Sequence, residues 1–265
     1  MEPSLRPLRR LRSVEPVPWR TTRALRTRVK LPAGARTTLH VASFALSDWR
    51  ARVVAFEHPQ PLVRWCRDGG SPFAVVGGFF VRPSCTPLGE LRIDGSLRES
   101  IGFDAPWDTV RGCVQIDGGT PSVARRDQLP AVPSGDLLQA GPVLVADGRR
   151  VIEEGVDAEG FSAGSRQFDS DITVGRYPRA ALAVDERRVF AVACDGRTDR
   201  DAGMTLGELA DTLVVLGARD ALNLDGGGSA ALVYNGRLRN RPREEHGVDL
   251  LEGRTVATAI VFEPR

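Results

Sequence analysis

Residues 187–229 read RRVFAVACDGRTDRDAGMTLGELADTLVVLGARDALNLDGGGS, and this stretch carries three elements in a row. Thr205 followed three positions later by Glu208 is a capping box, in which each side chain satisfies a backbone N–H that the first helical turn leaves free. Leu206, Leu209, Ala210, Leu213 and Val214 then recur at i, i+3, i+4, i+7 and i+8, an apolar stripe that must lie on a sheet. Gly217 ends the helix. RRVFAVACD before it and DALNLD after it read as buried strands, which makes a β-α-β unit around residues 187–225. Taken as parallel neighbours, the two strands have a right-handed crossover and both carboxyl ends at one sheet edge. Asp195 and Asp225 then face the same crevice, where open sheets bind their ligands.

Outward from this unit, short β-type runs alternate with Gly and Pro from residue 37 onward: TTLHVASFAL, ARVVAF, FAVV, GELRI, CVQID and PVLVADGRRVI. Asp147-Gly148 and Asn235-Gly236 read as hairpin turns. Stretches 121–133 and 153–171 read as loops long enough to serve a function. No internal repeat is visible, which excludes solenoids and propellers. The expected fold class is α+β: a single domain over residues 37–265, a mixed β-sheet packed with helices. A basic, Pro-containing extension over residues 1–36 precedes it.

At 265 residues, with 42% hydrophobic and 26% charged, the chain can bury a sizeable core and is neither disordered, collagenous nor a disulfide scaffold. Its longest apolar run, residues 73–81 (FAVVGGFFV), is far short of the ~20 residues of a membrane span. No secretory leader pattern opens the chain. Cys66, Cys85, Cys113 and Cys194 stand 19, 28 and 81 positions apart, with no zinc-ligand spacing, and read as reduced thiols of a cytoplasmic protein. The net charge of +2 hides a segment 1–36 at +8 and a remainder at −6. With five prolines and little aromatic interleaving, the basic segment reads as a solvated tail and not as a nucleic-acid arm.

Asp-Gly occurs six times, mostly as turns, because Asp caps its own turn and Gly takes positive φ. Asp225 differs: Gly226, Gly227, Gly228 and Ser229 follow it, more than a turn needs. Successive glycine N–H groups can cradle an anion, and a carboxylate beside them can serve as nucleophile, base or metal ligand. Asp195 and Arg197, two positions apart, could orient a hydroxyl and fork onto a phosphate. Arg179 in YPRAALAV enters a strand and could serve the same anion. Gly77-Gly78 before Phe79 and Phe80 suggests close backbone approach, with the rings as a wall or as core. His40, His58 and His246 are scattered, and only His246 sits among polar residues. No phosphate-binding nucleotide loop, dinucleotide fingerprint or serine-nucleophile elbow is present.

YPRAALAV, ACDGR, DAGMTLGELADTLVVLGA and ALNLDGGGSAALVYNGRLRNRP resemble the phosphodiester glycosidase family, and VGGFF, TPLGELRIDG and QAGPVLVADG resemble its upstream blocks in the same order. The resemblance spans roughly residues 37–262. It implies one α+β domain that frees a sugar from a sugar 1-phosphodiester by cleavage at the anomeric carbon. It also implies a cleft gathering Asp225 and its glycine loop, Asp195 with Arg197, Arg179, and Gly77-Gly78-Phe79. Asp225 is expected as nucleophile or base, and Asp195 as the group that orients it or holds water. A divalent cation between Asp225 and Asp195 is equally consistent with paired carboxylates. The family's usual Asn before Gly-Gly-Phe-Phe is Val76 here, which removes an amide partner for sugar or phosphate. Two alternatives stay open: a metal-dependent phosphodiesterase, and a non-catalytic sugar-phosphate binding protein.

Overall fold

The computed structural model describes residues 22–153, 155–162 and 174–265. The first 21 residues of the basic extension, and residues 154 and 163–171 of the expected 153–171 loop with the two that follow it, lie outside the described residues. A seven-stranded sheet runs in the spatial order Arg23–Lys30, Arg36–Ala45, Arg188–Cys194, Arg179–Val184, Asp220–Asn223, Val143–Ala146 and Arg149–Arg150. Every neighbouring pair in it is antiparallel. A five-stranded sheet orders Arg237–Leu238, Leu232–Tyr234, Phe73–Val76, Thr255–Pro264 and Trp49–Pro61. A second orders Thr120–Arg125, Gly112–Asp117, Asp136–Gln139, Leu91–Ile93 and Ser96–Leu97.

The expected α+β class is therefore corrected. The protein is mostly antiparallel β-sheet, and of the three α-helices among the described residues only Leu206–Val215 exceeds six residues. Short apolar runs look alike in mixed and in antiparallel sheets, so one strong helical stripe cannot report on the rest of the chain. No described helix is long and apolar enough to cross a membrane.

The β-α-β unit needs a second correction. Its strands run parallel but are not neighbours: Arg179–Val184 lies between them, with Arg179 opposite Cys194 and Ala181 opposite Asn223. The cause is local. Asp185 Oδ1 accepts from the N–H groups of Arg187 and Arg188 at 2.7 Å each, closing a tight turn that pairs 179–184 with 188–194 as a hairpin. The crossover strand joins the hairpin's far side. A ten-residue helix of about 15 Å reaches across two strand spacings of roughly 10 Å. Both carboxyl ends still arrive at one edge, together with the amino end of the strand between them.

The central strands are buried on both faces. Ala180, Leu182, Ala191, Ala193 and Leu222 face the main core with Val75, Val233 and Ile260. Ala181, Ala183, Phe190, Val192 and Ala221 lie under the stripe of Leu206, Leu209, Ala210 and Leu213. The capping box forms as expected, Thr205 Oγ1 accepting from Glu208 N at 3.1 Å and Glu208 Oε2 from Thr205 N at 3.0 Å. Gly217, at φ +89°, stops the helix. Residues 23–30, within the expected extension, are the outermost strand, and Arg28 pairs with Asp201 at 2.5 Å. All four cysteines are free.

One buried ionic cluster ties a loop to the sheets. The Arg111 guanidinium stands over the rings of Phe103 and Phe161, 4.1 and 4.2 Å from their centroids, and donates to the carbonyls of Glu159 and Gly160. The Glu159 carboxylate accepts from Gly112 N at 2.8 Å and Val143 N at 2.7 Å. Burial outweighs these bonds and pushes its pKa from 4.5 up to about 7. A carboxyl raised on folding stabilises the fold most below its unfolded value and loses that contribution as pH rises through the folded one. In urea unfolding, the stability of the wild type relative to Glu159→Gln should therefore fall by about 3 kcal/mol between acid and neutral pH. A pH-independent difference would refute the assignment.

Candidate active site

Four segments meet at the shared strand edge. Asp195-Gly196-Arg197 follows one strand, Arg179 opens the next, Asp225 to Ser229 follow the third, and Gly77-Gly78 follow Phe73–Val76 of the neighbouring sheet. Asp225 N donates to Gly77 O at 3.1 Å, and Gly227 N to Pro178 O at 2.8 Å. Gly77 is itself held against Thr258: its N–H donates to Thr258 O at 2.9 Å, and Gly78 N donates to Thr258 Oγ1 at 3.1 Å. A Cβ on Gly77 would stand 2.3 Å from that hydroxyl.

Glycine conformation separates the site from ordinary turns. In the other four Asp-Gly pairs the glycine (Gly69, Gly95, Gly118, Gly148) has positive φ. Gly196 and Gly226 do not, and what they supply is space. A Cβ would lie 2.6 Å from Pro178 N at Gly196 and 3.0 Å from Pro178 O at Gly226. The two loops close on Pro178 from both sides.

The predicted residues arrive together but divide into different roles. Asp225 is half-buried, and its Oδ1 accepts from Gly226 N at 2.9 Å. Asp195 is buried: Oδ2 lies 3.2 Å from His40 Nε2, and Oδ1 accepts from Arg241 N at 2.6 Å. Arg179, also buried, donates to Met204 O at 3.1 Å and Gly175 O at 3.4 Å, bracing the strand's entry. Arg197, at φ +63°, donates from Nη1 to Arg243 O at 2.9 Å, with Nη2 alongside Gly227. The amides of Gly226 and Gly227 are already engaged, so the expected three-amide cradle is not what the loop builds. Residues 227–229 instead form a 3-10 turn, Ser229 N donating to Gly226 O at 3.0 Å. Phe79 turns into the core, edge-on to Phe161. Val76 is sealed in that core.

Sequence reasoning missed His40, which lies 155 positions from its partner Asp195. It also missed the segment after the Leu232–Tyr234 hairpin. Asn240 anchors that segment, Oδ1 accepting from Leu232 N at 2.9 Å and Nδ2 donating to Ala230 O at 2.7 Å. Beyond it, Glu244 and Arg254 pair over Gly228. The signal was the charged run NRPREEHG, in which only His246 stands out, and His246 is exposed. Among the described residues no group of three or more His, Cys, Asp or Glu side chains could hold a metal ion, and both oxygens of Asp195 already face hydrogen-bond donors.

A family model described as phosphodiester glycosidase matches residues 69–263. The chain belongs to the phosphodiester glycosidase family. It is 31% identical over 202 residues to N-acetylglucosamine-1-phosphodiester alpha-N-acetylglucosaminidase of Mus musculus, a match covering 74% of this chain and 38% of that protein. The protein of the same name from Bos taurus is 37% identical over 207 residues, covering 75% of this chain and 38% of its own length. The chain thus spans well under half the length of these relatives. The catalytic domain of the zebrafish protein of that name, solved auto-inhibited by its pro-peptide, has a TM-score of 0.70 at 20% identity, covering 92% of this chain and 83% of that one. A hypothetical protein from Synechocystis has a TM-score of 0.62 at 20% identity, covering 91% and 61%. These two structures show that the fold is shared. The resemblance read from the sequence blocks is borne out.

Within this phosphodiester glycosidase fold, the closure on Pro178 generates a prediction. Gly196→Ala, which drives a methyl group into backbone, should cost about 1–3 kcal/mol in urea unfolding. A neutral effect would mean that Pro178 yields.

Proposed function

We propose that the protein hydrolyses a sugar 1-phosphodiester at the anomeric carbon and releases the free sugar. The observation that carries this reading is the Asp225 carboxylate at the strand edge, one oxygen tethered to Gly226 N–H and its own amide fixed by Gly77 O. Glycoside cleavage passes through an oxocarbenium-like state that a fixed carboxylate attacks or stabilises. The departing group is a phosphate monoester, an anion of low basicity, which needs charge neutralisation more than a proton. Arg197, beside Gly227, supplies it. Asp195 works one step removed: it holds His40 on one side and the Arg241 backbone on the other, and so sets the polar segment over the cleft.

The family supports the reaction class, and the names of the mouse and bovine relatives make N-acetylglucosamine the first sugar to offer. The decisive experiment is product analysis on an α-N-acetylglucosamine 1-phosphodiester, with and without chelator. In 18O-labelled water the expected products are free sugar and a phosphate monoester that takes up no label, and Asp225→Asn should lower sugar release at least about a thousandfold. Sugar phosphate as the product, or free sugar with the label on the phosphate, would place the cut at P–O, and ligand binding without turnover would make this a binding protein. A chelator effect would assign a divalent cation to the reaction.

A further inference from the structure

Glu244 rests on the glycine loop. Its carboxylate takes two N–H groups from one guanidinium, Arg254 Nε donating to Oε1 at 2.8 Å and Nη2 to Oε2. Arg254 also donates from Nη1 to Ser229 Oγ at 3.5 Å and from its backbone N–H to Gly228 O at 3.1 Å. A Cβ on Gly228 would stand 2.9 Å from Glu244 Oε1 and 3.1 Å from Arg254 Nη2, so the pair sits directly on the loop that follows Asp225. The Arg254 hydrogen bonds hold the Glu244 carboxyl below the usual range against the effect of burial, and the charges of Arg197 and Arg82 add to the lowering. Three cations thus converge on one carboxylate. The Glu244 side chain is 34% exposed and that of Arg254 20% exposed, so the carboxylate is the more accessible partner.

An anion that receives a guanidinium fork within the field of further arginines has the recognition pattern of a phosphate group. We propose that Glu244 is an internal stand-in for the substrate's phosphate: it occupies the anion seat on Arg254 in the free protein and gives the seat up when the phosphate arrives. This rests on the functional reading above, and it adds the seat and its built-in competitor. The arrangement has two effects. Without an anion the arginines would repel one another, so Glu244 keeps the seat assembled. With it, ligand affinity is discounted by the fraction of time the seat is vacated.

The test is titration calorimetry with inorganic phosphate on wild type, Glu244→Gln, Arg254→Gln and, as a charge control, Glu245→Gln at the exposed neighbouring position. Thermal melting first checks that each variant is folded. Glu244→Gln should bind phosphate about tenfold more tightly, because the competitor's charge is gone. Arg254→Gln should lose binding, and Glu245→Gln should stay within about twofold of wild type. If Glu244→Gln binds no better than wild type, or if Glu245→Gln tightens binding equally, the stand-in role is overturned and the pair is a structural brace. The two readings fail separately: tightening without sugar release from any diester removes the glycosidase and keeps the seat, whereas sugar release without tightening does the reverse.

Discussion

The double ladder of Arg179–Val184, antiparallel to Arg188–Cys194 on one side and to Asp220–Asn223 on the other, is the constraint on which the rest of the structure depends. It fixes three chain ends at one sheet edge, and those ends carry Arg179, Asp195 and Asp225. A slip of one residue would exchange the two faces of the central strand. Ala180 and Leu182 would then meet the helix, and Ala181 and Ala183 would meet the main core. Both faces are buried by well-matched small and branched side chains, so the register is held by packing on two sides at once.

Given that frame, the site is assembled by backbone contact more than by side-chain pairing. Pro178 is gripped between Gly196 and Gly226, and Gly77 is pressed against Thr258. The carboxylates are then secured by main-chain donors, Arg241 N for Asp195 and Gly226 N for Asp225. Such preorganisation has a physical benefit: groups held by the main chain need little reorganisation when charge develops during a reaction.

What could be read from the sequence follows the range of each signal. The Thr205–Glu208 box, the Leu206 to Val214 stripe and the turns at Asp147-Gly148 and Asn235-Gly236 are set by residues within a few positions of one another, and all form as read. Asp225 and its glycine loop stood out because they exceed what a turn requires. The order of strands did not, since an apolar run carries no mark of its neighbour. Nor did the contact of His40 with Asp195, which only a closed sheet brings about. Arg254 and Glu244 stayed hidden for a related reason: a charged segment on a solvated face and one folded back over a glycine loop have the same composition. Within the basic extension, charge and proline content hide the strand at residues 23–30, although Leu25, Thr27 and Val29 alternate with its arginines as a strand requires.

That outermost strand, Arg23–Lys30, ends the seven-stranded sheet among the described residues. A terminal strand offers a row of backbone donors and acceptors on its outer side, to which another copy of the molecule could add without limit. Arg23, Arg26, Arg28 and Lys30 sit on that border. Two such borders brought edge to edge would set cation against cation along their length, which opposes the addition of a second copy at this edge.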